Sequence, residues 1–292
     1  IVEKNIQNYV LSEYVTVDEL LEAFRGRCKF RQYIRNKPAK YEVKIFALCD
    51  ARTFYSSKLE IYAGKQPEGP YRVDNSGKSI VKRMIEPISG SGRNVTTDNW
   101  FTSIPLCYEL LCENRLTFVG TLRKDKREIP REFIDAKNMP VGSSKFGFRD
   151  GCTMVSYQGS KKKNVLLISS MHVDDMTDRD INSPTYGKPE IVLFYNSSKG
   201  GVDTVDGYKE HYSVSRTTNR WSMTVFYSLL NITALNAYII LKANSEQQMC
   251  RRSFLKSLGM ELCRDYMTTR ISIKETPKLT KDLICLSPNY LL

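Results

Sequence analysis

The chain has 292 residues, of which 41% are hydrophobic and 11% aromatic, enough to bury a core and too apolar for a disordered tail. Lysine and arginine number 44 against 32 acidic residues, and the net charge of +12 favours a polyanionic partner, nucleic acid ahead of an anionic membrane. The eight cysteines form no CxxC pair or Cys/His cluster, which argues against a zinc module and a disulfide framework and favours a reducing compartment.

The first half of the chain predicts alternating strands and helices. Residues 24–40, FRGRCKFRQYIRNKPAK, carry seven basic side chains and no acid. A boundary follows them, because VKIFALCD predicts a strand that ends at Asp50. The other elements predicted in this half are a strand or tight hairpin at 53–64, a helix at 77–88, a short strand before Asp98, a helix at 103–115 and a strand at 116–123.

The second half predicts a β-rich insertion and then helices. Residues 127–189 are rich in glycine, proline and charge, and the alternation on both sides of Gly159-Ser160 predicts a hairpin. The Gly200-Gly201 pair opens a helix, and further helices are predicted from about 220 and from 251. The apolar run at 226–241 is short and contains two asparagines, so we expect a buried helix and no membrane partner.

Three aspartates lie at the ends of predicted elements: Asp50 and Asp98 after strands, and Asp203 in the first turn of a helix. Because sites in α/β sheets favour the carboxyl ends of strands, we expect these carboxylates to share one crevice. Such a set suits two Mg²⁺ or Mn²⁺ ions, and Asp206, on the same helix face as Asp203, suits a supporting contact. Taken singly, each aspartate is better explained as a turn or helix-dipole residue, so position alone does not establish a site.

Longer strings around these aspartates resemble the piggyBac-like transposases. The matching strings are ALCDARTFY, RNVTTDNWFTSIPL, LTFVGTLRKDKREIP, KGGVDTVDGY with SRTTNRWSM, and FRGRCKFRQYIRNKPAKYEVKI upstream. They cover nearly the whole chain in the order of the family. DNWFTS and KGGVDT are also too long for chance to be a reasonable source.

The resemblance implies an α/β fold with an RNase H-like mixed-sheet catalytic domain. In the family, a β-strand insertion precedes the last catalytic helix, and a mostly helical flanking domain serves dimerisation and DNA binding. The implied boundaries are 45–126 with 190–212 for the catalytic domain, 127–189 for the insertion, and 1–44 with 213–292 for the flanking domain.

Matched by motif, the resemblance implies Asp50, Asp98 and Asp203 as catalytic, metal-binding residues, Asp206 as a fourth acidic position, and two Mg²⁺ or Mn²⁺ ions as cofactors. The implied activity is cut-and-paste transposition. A phosphodiester at the transposon end is hydrolysed, the freed 3′-hydroxyl attacks the opposite strand to form a hairpin, and the opened end joins TTAA target DNA. This describes a nuclear DDD-type DNA transposase that acts on double-stranded DNA as a homodimer.

Basic and aromatic residues supply the expected DNA contacts, with a merely solvated basic face as the alternative. The expected contacts are Arg25, Arg27, Lys29, Arg31, Arg35, Lys37, Lys40, Arg123, Lys124, Arg216, Arg220 and Trp221, with Lys161 to Lys163 as a weaker candidate. Trp221 suits stacking on an unpaired base and core packing equally. Trp100 and Phe101 are expected to be core residues that fix Asp98.

The sequence leaves a second function open: a domesticated, element-derived protein that binds DNA or chromatin without cutting it. The cysteine-rich zinc module of the family is not matched, because Cys250, Cys263 and Cys285 lack its spacing. Recognition of transposon ends is therefore undetermined. The chain also begins in mid-pattern at Ile1, as a fragment of a longer protein would.

Overall fold

The structure, a computed structural model, describes residues 1–135, 139–161, 163–245 and 249–286, the last four without their side chains. It divides into two compact units, Ile1–Thr233 and Ala234–Leu292. The first unit holds every strand of the described chain, and the predicted site residues all fall within it.

A nine-stranded mixed sheet organises the described part of the first unit. Its strands run in the order β2-β3-β1-β5-β6-β9-β8-β7, with β4 also paired to β3. Strands β5 and β6 run parallel to β1, whereas the other pairings are antiparallel. The strands are β1 Tyr14–Ala23, β2 Gln32–Tyr33, β3 Tyr41–Asp50, β4 Ser56–Ile61, β5 Asn94–Thr97, β6 Thr117–Thr121, β7 Ser144–Arg149, β8 Cys152–Ser160 and β9 Lys163–Ser169.

The helices confirm most of the sequence-based expectations. Ser76 and Ser103 cap α2 and α3, since each side chain accepts a hydrogen bond from a backbone N–H in the first turn. IVLFY, which follows the predicted insertion, lies in α5. The helices are α1 Val2–Asn8, α2 Gly77–Met84, α3 Ile104–Cys112, α4 Arg131–Ile134, α5 Glu190–Ser198, α6 Gly201–His211, α7 Trp221–Asn244, α8 Arg251–Ser272 and α9 Lys278–Leu286.

The sheet crosses two of the expected domain boundaries. Strand β1 lies within the segment assigned to a flanking domain, yet it pairs with β3 and β5 inside the sheet. Strands β7 to β9 lie within the assigned insertion, yet β9 pairs with β6 and continues the same sheet. Strand β1 and strands β7 to β9 therefore belong to the same sheet as the expected catalytic segment, although the three regions differ in composition.

The two faces of the sheet carry different layers. Thr16 and Thr96 lie on one face, where both hydroxyl groups bond to Ser198 at the end of α5, at 2.6 and 2.8 Å. Thr97 lies on the opposite face and bonds to Thr102, just before α3. This alternation separates an α5–α6 face from an α3 face.

Glycine lets α6 approach β1 closely. A Cβ at Gly201 would lie 2.6 Å from Oγ1 of Thr16 and 3.5 Å from the Cα of Ala51. The Thr16 hydroxyl is already held by the Ser198 carbonyl and has no freedom to move aside. Gly201 therefore sets how close the first turn of α6 comes to the sheet.

Helix α7 is longer than the predicted apolar run and is buried along one stripe. Val225, Ser228, Ile232 and Leu235 are buried, whereas Phe226 is 53% exposed. By length and composition this is the one helix among the described residues that suffices to cross a membrane, and a third of its most apolar stretch is buried. The expectation of a buried helix is corrected, because α7 is buried along one stripe only.

The second unit contains the end of α7 together with α8 and α9. The hydroxyl group of Tyr238 donates to the carbonyl of Met249 at 3.0 Å, and its ring lies 5.5 Å from that of Phe254. These contacts hold the start of α8 against the end of α7.

We expect Gly201→Ala to lower the free energy of unfolding by about 1–3 kcal/mol, because the new methyl group overlaps a fixed hydroxyl group. Urea unfolding followed by circular dichroism measures this. The matched control is Gly207→Ala in the same helix, where a Cβ meets no atom within 4 Å and a gain of about 0.5–1 kcal/mol is expected. Equal effects of the two substitutions would contradict the close-contact interpretation.

Candidate functional site

Two aspartates on neighbouring parallel strands form the base of the candidate site. The β1–β5 register pairs Thr16 with Thr96 and Val17 with Thr97, so Asp18 comes next on β1 and Asp98 directly follows the last residue of β5. Because side chains two residues apart in a strand share a face, Asp18 and Asp98 lie on the same face as Thr16 and Thr96, the α5–α6 face. Asp18 was not singled out from the sequence.

Helix α6 adds a third carboxylate from above the sheet. Asp203 lies in its first turn, two residues after the glycine that contacts Thr16, and its side chain is exposed. Its charge acts on Asp18, as does that of Asp98. The structure therefore brings together Asp18, Asp98 and Asp203, the group we call the carboxylate cluster.

Asp18 is the most perturbed member of the cluster. Burial, then the charge of Glu19, and then those of Asp98 and Asp203 raise the pKa of Asp18 to about 8 from its ordinary value of 3.8. Its one backbone hydrogen bond, from the Glu19 N–H at 2.8 Å, opposes this rise and is outweighed. A cation at the cluster would offset both the burial and the repulsion that keep this carboxyl group neutral.

Asp98 is held by the turn that follows β5. Its Oδ1 accepts the backbone N–H of Trp100 at 2.9 Å and that of Phe101 at 3.4 Å. Phe101 is buried as expected, whereas Trp100 is 36% exposed and its ring lies beside the Lys44 ammonium, 5.1 Å away. The expectation of a core role for Trp100 is corrected: its backbone fixes Asp98 while its ring stays on the surface.

Asp50 lies away from the cluster. It is paired with Val15 and shares the face of Val15, opposite to that of Thr16 and Asp18. It is fully buried and accepts four hydrogen bonds: from the backbone and hydroxyl group of Ser12, at 2.5 and 2.9 Å, and from the N–H groups of Arg52 and Thr53. The expected convergence of Asp50 with Asp98 and Asp203 is corrected, because its carboxylate closes a turn and anchors the chain before β1.

Asp206 is engaged in a buried ion-pair network. Its carboxylate lies 2.7 Å from the Lys209 ammonium, which is buried and also pairs with Glu22 on β1. Burial by itself lowers the pKa of Lys209, but the charges of Glu22 and Asp206 outweigh it, so the pKa is raised. Glu22 in turn accepts the Ser228 hydroxyl group of α7 at 2.5 Å. Asp206 thus fixes α6 on the sheet beside the cluster.

Tyr195 on α5 also faces the cluster. Burial raises the pKa of its phenol, with smaller contributions from the charges of Asp98, Asp18 and Asp203, so the hydroxyl group stays protonated and able to donate. Its oxygen lies 3.4 Å from the Thr121 hydroxyl group.

The available signal for Asp18 was an acid inside a strand-forming run, YVTVDELLEA. For Tyr195 no sequence signal was available.

The predicted basic segment is mostly free to bind. Arg25, Arg27, Lys29, Arg35, Lys37 and Lys40 are exposed. Arg31 differs, because its guanidinium donates to the carbonyls of Arg25 and Gly26 at 2.9 Å and stacks 4.4 Å from the centre of the Tyr41 ring. Arg31 therefore holds the loop, and its role as a DNA contact stays a prediction.

Two basic segments that are distant in sequence meet at one cavity. The cavity, of about 660 Å³, is lined by Arg25, Lys37 and Arg216 together with Asp206 and Lys209. Asn231 of α7 shapes its wall by bonding to the backbone of Val214 and to the hydroxyl groups of Ser213 and Ser215. The structure thus joins predicted DNA contacts from both segments next to the ion-pair network.

The remaining predicted contacts lie at the rim of this region or close to Asp98. Trp221 is 38% exposed, and its ring packs edge-on against that of Phe30 with 4.9 Å between the ring centres. It is therefore neither a fully buried core residue nor a ring free to stack on a base. Arg123 donates to Asn99 at 3.2 Å, beside Asp98. Arg220 and Lys124 are exposed, whereas Lys162, in the weaker candidate run, lies outside the described residues.

The carboxylate cluster is not a preformed metal cage. Across the described residues, no three His, Cys, Asp or Glu side chains are gathered closely enough to enclose an ion. The donor set still fits Mg²⁺ or Mn²⁺, because such ions keep several waters and bind through one or two carboxylates together with substrate phosphates. Burial, with the charges of Glu19, Asp98 and Asp203, raises the pKa of Asp18, and a bound cation would favour its ionised form.

Comparisons with known proteins agree on one family. Residues 1–238 match the family described as Transposase IS4. The human PiggyBac transposable element-derived protein 3 and the human chimeric ERCC6-PGBD3 protein are each 24% identical to this chain, in alignments 265 residues long that cover 80% of the chain. The cryo-EM structure of a piggyBac transposase synaptic complex with hairpin DNA superposes with a TM-score of 0.88 at 39% identity over 97% of the chain.

The chain spans only part of these relatives: 41% and 23% of the two human proteins and 59% of the solved chain. The family match nevertheless covers every strand of the described sheet and the three aspartates of the carboxylate cluster. The chain therefore belongs to the Transposase IS4 family, and it resembles piggyBac-type proteins in sequence and fold.

Proposed function

We propose that this chain carries the catalytic core of a metal-dependent DNA transposase, with Asp18, Asp98 and Asp203 as the residues that hold its ions. The observation that carries the proposal is the carboxylate cluster itself. It joins two parallel strands and a helix, on the sheet face next to the exposed basic segment, in a chain of net charge +12.

The cluster suits phosphodiester chemistry because it concentrates oxygen ligands where anionic DNA would otherwise be repelled. Two Mg²⁺ or Mn²⁺ ions, when bound, would supply the charge that stabilises the attacking and leaving oxygens of an in-line displacement. Asp98 would hold its ligand position rigidly, since two backbone N–H groups fix it. Asp206, matched by motif to a fourth acidic position of the catalytic set, would act as a positioning residue through Lys209.

Residues around the cluster would orient the DNA. Arg123 lies beside Asp98 through Asn99 and suits the phosphate next to the cut. The Tyr195 hydroxyl group suits donation to a phosphate oxygen, because burial keeps it protonated. Arg25, Lys37 and Arg216 would hold the strand that leaves the site, through charge and without base reading.

The finer features of the proposal follow the family. We propose hairpin formation at the cut end, joining to TTAA target DNA, a homodimeric assembly and a nuclear location. The order β4-β3-β1-β5-β6, with β5 and β6 parallel to β1, supports an RNase H-like sheet. The solved relative was observed in a synaptic complex with hairpin DNA, which supports DNA ends as the substrate.

The deciding assay is joining of a pre-cut 3′-hydroxyl duplex end to a TTAA-containing plasmid, with Mg²⁺ and with EDTA. We expect joined product only with the metal. DNA binding without joining under all metal conditions would instead identify a domesticated DNA-binding protein.

We expect Asp18→Asn, Asp98→Asn and Asp203→Asn each to reduce joining by at least ~100-fold with DNA binding retained, since each removes a charged ion ligand. Gel assays of joining and fluorescence anisotropy of DNA binding measure the two effects. Asp125→Asn, at an exposed acid outside the cluster, is the matched control and should keep full activity.

The Asp50→Asn variant distinguishes an ion site built from Asp18, Asp98 and Asp203 from one built from Asp50, Asp98 and Asp203. It should lower the free energy of unfolding by about 1–3 kcal/mol, because an amide cannot accept all four donors, while the folded fraction still joins DNA. A folded but inactive Asp50→Asn beside a fully active Asp18→Asn would contradict the cluster described above.

The stability of the metal-free chain should fall as pH rises from about 4 to 8. Over that range the Asp18 carboxyl group ionises in the unfolded chain but stays protonated in the folded one, because its folded pKa of about 8 is raised above 3.8. Asp18→Asn should reduce the pH 5 to pH 8 loss by about 1 kcal/mol or more, measured by urea unfolding in EDTA. Superimposable pH profiles for the two proteins would exclude a shifted Asp18.

Exposed basic residues at the 660 Å³ cavity should set the salt dependence of DNA binding. We expect Arg25→Ala combined with Lys37→Ala to reduce the slope of log K against log salt by about 2, one unit for each lost phosphate contact. The control is Lys65→Ala with Arg179→Ala, which removes the same charge from exposed sites elsewhere. Equal slopes in the two double variants would show that net charge, and not this surface, governs binding.

A further inference from the structure

Two buried thiols meet between α3 and the β7–β8 hairpin, away from the carboxylate cluster. The sulfur atoms of Cys107 and Cys152 lie 3.4 Å apart, and both residues are free cysteines. Cys107 is fully buried and Cys152 is 5% exposed. The cysteine spacing in the sequence gave no sign of this pair, because the two positions belong to different elements.

Several contacts fix the two sides of the pair independently of the sulfur atoms. Asp150 and Gly151, at φ 48° and 75°, form the tight turn that places Cys152 opposite Arg149 at the start of β8. The Tyr108 hydroxyl group donates to the Arg149 carbonyl at 3.1 Å. Helix and hairpin are therefore held together whether or not the sulfur atoms are bonded.

A cavity gives small molecules a route to one of the two thiols. It has a volume of about 620 Å³ and an apolar lining that includes Pro105, Phe133, Phe148, Met154 and Cys152. Cys107 is not part of the lining and lies behind Cys152. A small uncharged oxidant that enters this cavity meets Cys152 first.

We propose that Cys107 and Cys152 are an oxidation site, at which a peroxide converts the two thiols into a disulfide that links α3 to the β7–β8 hairpin. The Cys152 sulfur attacks the peroxide, the O–O bond breaks, and sulfenic acid and one water form. The Cys107 sulfur then attacks the sulfenic sulfur, the S–S bond forms and a second water leaves. Two thiols are oxidised and one peroxide is reduced to two waters.

The electrostatics agree with this order of attack. The pKa of the Cys152 thiol is lowered, chiefly because Cys107 hydrogen bonds to it, and that same bond raises the pKa of Cys107. The thiolate is the reactive form, so Cys152 is the better nucleophile of the two. Cys49 offers a contrast: it is also fully buried, but its neighbour is the Ser56 hydroxyl group, and burial raises its pKa to about 12.

The cross-link would constrain the element that follows Asp98. Helix α3 begins at Ile104, directly after the turn that holds the Asp98 carboxylate. The disulfide would close a loop between residues 107 and 152 and so stabilise the folded chain against unfolding. The proposal itself does not depend on transposase activity.

The test is peroxide treatment of the 292-residue chain at low protein concentration, followed by alkylation under denaturing conditions, tryptic digestion and mass spectrometry. Trypsin leaves Cys107 and Cys112 together in peptide 94–115, with Cys152 in 150–161. The chain therefore carries Cys112→Ser, at an exposed position, so that the cross-linked pair has one assignment.

We expect linked peptides 94–115 and 150–161 in most chains, with the mass of two hydrogen atoms lost and full reversal by dithiothreitol. Cys49 should remain an alkylatable thiol. The Tm should rise on oxidation and fall again on reduction, and Cys152→Ser in the same background should show no rise. The proposal would be overturned if peroxide oxidised the exposed Cys250 and Cys263 while Cys107 and Cys152 both remained alkylatable. Over-oxidation of Cys152 without a cross-link would overturn it as well.

Discussion

The parallel register between β1 and β5 is the constraint on which the site depends. It sets Asp18 beside Asp98 on the α5–α6 face, and every other feature of the cluster is arranged around that pair. Ser198 bonds to threonines on both strands, and Gly201 lets α6 descend onto β1 until Asp203 joins the group. A shift of one residue in this register would turn Asp18 to the opposite face, away from Asp98 and Asp203.

The charges of the region are divided between two networks with different tasks. In the carboxylate cluster, burial and then the neighbouring negative charges keep Asp18 protonated, and a cation would favour its ionised form. In the adjoining network, Glu22 and Asp206 flank the buried ammonium of Lys209, so the charges compensate one another and fasten β1 to α6. The first network suits ion and phosphate binding, whereas the second provides the rigid support that such binding needs.

The described chain contains the sheet, the cluster and a basic surface, while it spans 59% of the solved piggyBac chain it resembles. Its own residues therefore supply the parts that the proposed phosphodiester chemistry requires. The paired thiols of Cys107 and Cys152 lie on the other side of Asp98, under the helix that begins after its turn. That position places a redox-sensitive contact in the scaffold of the site and not among its ligands.

The sequence by itself determined the class of the fold, most helices and strands, and the motifs around Asp98 and Asp203, because these depend on local periodicity, capping and turn residues. It also showed the basic segment at 24–40. It did not show that Asp18 takes the place expected for Asp50, that Arg31 holds its own loop, or that the Trp100 ring stays on the surface. Only the tertiary structure decided these, because they depend on which distant strand pairs with β1 and on which face of the sheet each side chain then lies.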